Sequence, residues 1–488
     1  MNTLAFTNYL SRRIKALLLA ITLLGTLAGT AHTKAASRKA SSASVRAYPV
    51  KVSANGRYLV DQNNSPFLIV GDVPQAMVSM ISTADAASYF GDRQAHGFNA
   101  MWIDVLVGGP YPYDYSPDDG STYDGIRPFT GYVPGGTDAA HYDLTKPNEV
   151  YFARVDQMLT LAANHRMLVF LDPIETEHWL QTLRDNGPVA AYAYGQYLGN
   201  RYKHFDNIIW LSGNDFNTWK NPNDDAVAQA VAKGIRSTDP GALQTVELNV
   251  ETSSSFDDPT WAPVVSINST YTYSPTYFQM WHSYNQTPIA PTYLVEGHYE
   301  LAGMNLGHPI DLGTALVLRR QEYWAMLSGG KGQLYGNAFT VDFEPGWKYY
   351  LDTVGVTQLM IWHGLFSSLP WQDLVPDQDH TVVTAGFGGL GDMHTRLSTS
   401  DYCTASKTPD GSFVIAYMPT VRTITVNMAS LKTPAIAKWF DPSNGTYTTI
   451  SGGPFANIGT QDFTPPGKNQ DRDGDWVLLL AAEKGNER

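Results

Sequence analysis

A single cysteine, Cys403, in 488 residues has no partner for an internal disulfide, so stability has to come from packing. Cations are scarce as well. Lys and Arg number 33 against 46 Asp and Glu, a formal net charge of -13. A chain this acidic lacks the clustered positive charge that holds nucleic acid or an anionic membrane surface, so neither is expected as a partner and a neutral substrate fits better. Long apolar runs are missing: the longest, Ala16 to Leu27, is short of the ~20 residues a membrane-spanning helix needs. Arg12, Arg13 and Lys15 precede it and small residues follow to Ala31, the layout of a cleavable signal peptide over residues 1–31. The expected location is therefore secreted or periplasmic, with no membrane span. Phosphate-binding, dinucleotide-binding and Ser-His-Asp motifs are absent, and no His or Cys cluster has transition-metal spacing. Neither a cofactor nor a metal is expected.

What is present is apolar and aromatic residue in quantity, 43% hydrophobic with 28 Tyr and 12 Trp. That is enough for one large core and a smaller second one. After an Ala/Ser/Lys/Arg-rich linker at 32–47, short strand-like runs alternate with helical periodicity. Strands are expected at Phe67–Gly71, Phe98–Val107, Met167–Pro173, Ile208–Leu211, Thr245–Asn249, Val264–Asn268, Pro291–Val295 and Gly332–Tyr335. Helices are expected at Asp85–His96, Tyr151–His165, Val189–Tyr202, Asp225–Ser237, Leu312–Leu327 and Tyr349–Phe366. Eight strands alternating with helices predict an α/β fold, a (β/α)8 TIM barrel over 48–370, with a doubly wound sheet as the runner-up. Past Leu369-Pro370-Trp371 the helical period stops. Short β runs such as Phe413–Met418, Thr423–Met428, Ala437–Phe440 and Trp476–Leu480, cut by Gly, Pro, Asn and Asp, predict a small all-β sandwich over 371–488.

Two of the predicted strands run straight into an acid: Trp210-Leu211-Ser212-Gly213-Asn214-Asp215 and Tyr293-Leu294-Val295-Glu296. A carboxylate at the edge of an apolar core is costly unless it has a task or a partner. Barrels carry their chemistry at the C-terminal ends of strands, where these acids fall by count after the fourth and seventh strands. Paired carboxyl groups are the equipment of glycoside hydrolysis, retaining at a separation of ~5 Å and inverting at a wider one. Asp215 is read as the general acid/base and Glu296 as the nucleophile, with Asn214 donating to a sugar hydroxyl. The plainer alternative makes Asp215 a helix cap and Glu296 the partner of a structural Arg. Asp72 after the first strand, Tyr335 and Asn337 after the eighth, and His298 and Tyr299 beside Glu296 are further candidates for substrate contact; each also has an ordinary turn or packing role. Asp104 and Asp172 sit near strand ends too. The run Asn469-Gln470-Asp471-Arg472-Asp473-Gly474-Asp475 alternates oxygen ligands but lacks the downstream Glu of a calcium loop, and reads as a polar turn.

These segments resemble the apiosidase-like glycoside hydrolases of family 140, a barrel joined to a C-terminal domain of the collagen-binding type. The likeness starts at Phe67-Leu68-Ile69-Val70-Gly71-Asp72 and Gly97-Phe98-Asn99 and passes through Tyr151-Phe152 with Asp156. It is sharpest at Trp210 to Asp215 and Glu296-Gly297, and extends through Gly332 with Tyr335-Gly336-Asn337 to Asp475-Trp476-Val477-Leu478. It implies a glycosidase acting on a plant-type or related carbohydrate, with Asp215 and Glu296 at the family's acid/base and nucleophile positions. The chain departs from the pattern near the expected pocket. Asp72-Val73-Pro74-Gln75 replaces the family's frequent Asp-Thr-Ala-Trp, Trp102 stands where Gln is common, and Phe216 follows Asp215 where Arg is frequent. Such changes bear on which sugar is accepted. A non-catalytic carbohydrate- or matrix-binding protein on a degenerate barrel is the competing class.

Overall fold

The computed structural model describes residues 48–108, 117, 119–217, 220–249, 252–302 and 311–483. The expected signal peptide and linker lie outside the described residues. No helix among them is long and apolar enough to cross a membrane.

Eight parallel strands form the barrel: β1 (Ile69–Asp72), β2 (Ala100–Asp104), β3 (Leu168–Asp172), β4 (Ile208–Phe216), β5 (Gln244–Leu248), β6 (Asn268–Thr272), β7 (Thr292–Glu296) and β8 (Gly332–Tyr335). Their ladder runs β5-β4-β3-β2-β1-β8-β7-β6. At the β5–β6 seam serine hydroxyls make the connection: Ser255 and Ser269 both donate to the carbonyl of Val246, at 2.7 and 2.6 Å. Helices α1 (Thr83–His96), α2 (Glu149–Asn164), α3 (Thr176–Tyr202), α4 (Pro222–Thr238), α5 (Thr276–Asn285), α6 (Ala315–Leu327) and α7 (Val354–Ser367) follow the strands. A TIM barrel is thus the architecture.

Two expectations need correction. The strand expected at Val264–Asn268 lies four residues later, because Asn268-Ser-Thr-Tyr-Thr272 carries the β-branched and aromatic alternation while Val264 belongs to a loop after a 3-10 turn at Pro259–Trp261. The helix expected to begin at Val189 begins at Thr176. It is interrupted at Gly187, whose φ of 69° is left-handed, followed by Pro188, so the local break signal marks a kink inside α3.

Strand parity sorts the side chains into two layers. Ile69, Ala100, Trp102, Leu168, Phe170, Ile209, Leu211, Tyr293, Val295 and Leu334 fill the barrel interior. Their chain neighbours Val70, Met101, Ile103, Val169, Leu171, Trp210 and Tyr335 pack outward against the helices. Both layers are dry, so the strands read as nearly continuous apolar runs.

The C-terminal part is a β-sandwich of a six-stranded and a three-stranded sheet. Its larger sheet is buried on both faces at its central strand. In the strand Phe413–Met418, Val414, Ala416 and Met418 face the sandwich core, while Phe413, Ile415 and Tyr417 join the cluster that contains the barrel helices. Tyr417 stacks on Tyr323 of α6, ring centroids 4.9 Å apart. The Asp-rich run at 469–475 has a definite use. Arg319 of α6, 1% exposed, reaches Asp473 at 2.6 Å, Asp475 at 2.9 Å and Asp471 at 3.3 Å. This guanidinium compensates acids that burial would otherwise penalise. Arg319→Ala leaves Asp475 buried without its cation and is expected to cost about 3–5 kcal/mol in urea unfolding. A loss under about 1 kcal/mol, the range of exposed pairs, would contradict that account.

Candidate active site

At the C-terminal mouth of the barrel lies a cavity of about 540 Å³, within the ~300–1,000 Å³ typical of small-ligand sites. Asp215 and Glu296 both line it, and each gets there by a departure from regular strand geometry. On β4, Ile209 and Leu211 point inward, and the chain then enters an arch in which Gly213, Asn214 and Asp215 all have positive φ, 112°, 62° and 54°. Only glycine fits the first position: a methyl group on Gly213 would lie 2.0 Å from the Glu247 carbonyl oxygen. Left-handed backbone at a non-glycine residue costs about 1–3 kcal/mol and persists only where the surroundings over-determine it. Here the Asp215 N–H meets the Glu247 carboxylate at 3.4 Å, and the ladder resumes at Phe216 opposite Leu248. On β7 the pairing with β6 skips Val295, moving from Thr270 with Leu294 to Tyr271 with Glu296. This bulge lets Glu296 face the cavity although its neighbour Val295 also points inward.

The two acids have unequal surroundings. Glu296 accepts from Tyr273 at 2.5 Å and from Tyr299 at 2.8 Å. Burial raises its carboxyl from the ordinary 4.5 to about 7, against the pull of these tyrosines, which favour the charged form. Asp215 is pushed well above the usual carboxylate range, first by burial and then by the charge of Glu296; the Tyr271 hydroxyl opposes the rise. Tyr271 acts on both carboxyls in this way. Asp215 Oδ1 and the amide nitrogen of Asn214 are buried with no hydrogen-bond partner among the described residues, the state of groups that await a ligand.

Of the other residues singled out in the sequence, Asn214 and Tyr299 line the cavity. Asp72 does not. It ends β1 on the outward parity, where Arg93 Nε donates to it at 2.5 Å and Tyr89 at 2.6 Å, making it half of a buried ion pair against α1. Tyr335 is outward on β8 for the same reason and donates to Glu300. Asn337 is fully buried, bonding the Tyr335 hydroxyl and the Phe339 N–H. Trp102 is inward but deeper than the cavity, its indole N–H donating to Asp104 at 2.7 Å. His298 stands behind the wall and donates through Nε2 to the Tyr273 carbonyl at 3.0 Å. These placements correct the expectation that Asp72, Trp102, His298, Tyr335 and Asn337 touch substrate.

Residues not singled out complete the wall: Gln75, Thr176, Glu177, Tyr271, Tyr273 and Asp342. Burial and the charge of Glu175 raise Asp342 to about 7. The tyrosines were discoverable from the Tyr271-Thr272-Tyr273 alternation once β6 is set at Asn268–Thr272. Glu247, wholly buried on β5 beneath the pair, carries the same signal as Asp215, an acid in an apolar strand. Among the described residues, Glu175, Glu177 and His178 are one of two groups whose ligand atoms lie within 4.8 Å of one another, the other being Asp92, His96 and Asp352. These are the places able to hold a cation.

Comparison with known proteins follows this geometry. Residues 53–373 match the model of the apiosidase-like catalytic domain, and residues 393–481 the model named after the collagen-binding domain of a collagenase. A solved structure titled glycoside hydrolase superposes with a TM-score of 0.73 at 21% identity, over 90% of this chain and 97% of its own. A glycoside hydrolase family 5 structure from Bacteroides vulgatus gives 0.72 at 22%, over 89% and 93%. No curated protein matches the chain.

The raised pKa of Glu296 ties folding to pH with a definite sign. The unfolded chain releases the Glu296 proton near 4.5 and the folded one near 7, so across that window the folded state holds more protons and stability falls as pH rises. Glu296→Gln removes this loss and relieves Asp215. Its Tm is expected to exceed the wild type's at about pH 8 and to converge with it below about pH 4.5; a variant no more stable at the higher pH would refute the linkage.

Proposed function

The chain belongs to the apiosidase-like family of glycosidases, and we propose that it cleaves its glycosidic bond with retention, using Glu296 as nucleophile and Asp215 as acid/base. The unequal environment of the pair carries this reading. Two tyrosine hydroxyls on Glu296 favour its carboxylate, while Asp215, buried and facing that charge, favours its protonated form. In the first step a Glu296 oxygen bonds to the anomeric carbon as the glycosidic C–O bond breaks, and the Asp215 proton goes to the departing oxygen. In the second, Asp215 takes a proton from water, the water oxygen attacks the same carbon, and the bond to Glu296 breaks. Asn214, with a free buried amide nitrogen, is positioned to donate to a sugar hydroxyl near the reacting carbon.

The substrate is proposed to be a plant-type or related poly- or oligosaccharide met outside the cytoplasm. Gln75 and Phe216, two of the departures from the family pattern, lie on the cavity wall, which favours a sugar preference of this chain's own. The β-sandwich is proposed to buttress the barrel, since its larger sheet spends one face on the barrel helices and Arg319 ties the two parts.

Purified protein is to be incubated with pectic and hemicellulosic oligosaccharides, the released sugar identified by mass and its anomer followed by NMR before mutarotation. Release of the retained anomer is expected, with Asp215→Asn and Glu296→Gln each lowering kcat by about 10²–10⁴-fold or more. An inverted first product rejects retention. Unchanged turnover in either variant rejects its role.

A further inference from the structure

The first residue of α3 is a threonine whose hydroxyl does nothing for its own helix. Thr176, 4% exposed, directs Oγ1 across to β4, where it donates to the carbonyl of Gly213 and lies 3.1 Å from the carbonyl of Asn214. These are the first two residues of the left-handed arch that presents Asp215. The preceding residue, Glu175, forms a lone parallel bridge with Gly213, so the turn from β3 into α3 is docked on the arch from one side. From the other side Glu247 holds it, through its carbonyl against Gly213 and its carboxylate on the Asp215 N–H. Asp215 itself contributes no anchor through Oδ1, which has no partner among the described residues.

We propose that Thr176 is a positioning residue for catalysis: its hydroxyl clamps the Gly213–Asn214 carbonyls and thereby sets where the Asp215 carboxyl stands relative to the scissile oxygen. The role rests on the reading of Asp215 as acid/base. Without the hydroxyl, the Gly213 carbonyl loses this donor, the Asn214 carbonyl loses its polar neighbour, and consecutive positive-φ residues lose the restraint on that side, so the arch relaxes toward ordinary backbone and carries the carboxyl with it. Misplacement of a reacting group by about 1 Å can lower turnover about 10²-fold. Binding of the sugar, which draws on the rest of the cavity wall, is affected far less.

The test compares full-length wild type with Thr176→Val, which keeps the shape and loses the hydroxyl, Thr176→Ala as a second hydroxyl-free variant, and Thr176→Ser, which keeps the hydroxyl. Substrates are the oligosaccharide that the wild type cleaves and the 2,4-dinitrophenyl glycoside of the sugar it releases. The expected result is a fall in kcat of about 10²-fold for Val and Ala on the oligosaccharide, with KM changed by less than about 3-fold, and near-wild-type kcat for Ser. On the dinitrophenyl glycoside, whose leaving group needs little protonation, the loss in kcat/KM, which reports the bond-breaking first step, is expected to be much smaller than on the oligosaccharide. A purely structural threonine would lower the Tm of Val and Ala without moving kcat per folded molecule. Wild-type kcat on the oligosaccharide in either folded hydroxyl-free variant, or an equal loss of kcat/KM on both substrates, overturns the proposal while leaving the glycosidase reading intact. Absence of turnover by the wild type on the whole panel overturns both.

Discussion

Two carboxyl groups on one cavity wall, Glu296 buried and Asp215 half-buried, organise the upper half of this barrel. The charge of Glu296 raises the reluctance of Asp215 to ionise, and both acids do the same to Glu247, a wholly buried third acid on β5. Like charges in low dielectric cannot all persist, so protons must be distributed. The tyrosines decide how. Tyr273 and Tyr299 spend their hydroxyls on Glu296, and no comparable pair serves Asp215. The charged form is thus steered to one acid and the proton to the other, a division of labour produced by hydrogen-bond donors alone.

Local backbone departures serve this arrangement. Regular strands would deliver alternate residues to the interior, and both acids fall where alternation is broken: one in a run of three left-handed residues, the other beside a bulge. The strain is tolerable because the arch is gripped from β5 and from α3. Below, the barrel interior is packed with Trp102, Phe170, Leu211 and Tyr293, which supplies a rigid floor. Outside, the central strands of the larger sheet of the β-sandwich lie between the barrel helices and the sandwich core, and Arg319 gathers the Asp471–Asp475 turn. The site stands on elements that cannot shift independently.

Much of this was legible in the linear order of residues. Eight apolar runs separated by helical periods imply the barrel, and an acid that closes an apolar run, as at Asp215 and Glu296, marks a strand end at the mouth. Two of the misplacements share one cause, strand parity. Asp72 and Tyr335 also close strands, but their parity turns them outward, to Arg93 and Tyr89 in one case and Glu300 in the other. Proximity to a strand end is visible in a sequence; the side of the sheet on which the residue stands depends on register, and one residue of slip inverts it. The misplacement of β6 by four residues keeps parity but left Tyr271 and Tyr273 outside the expected strand.

By itself the sequence determined the class of fold, the acidic and cation-poor character, and that acids stand at several strand ends, Asp215 and Glu296 among them, because these follow from periodicity and composition along the chain. Tertiary structure alone decided which candidates face the cavity, that Arg319 is the partner of the Asp-rich turn, and that Thr176 and Glu247 hold the arch. Those are contacts between residues 32 to 156 positions apart, and long-range pairing is set by the closure of the barrel and not by any local preference.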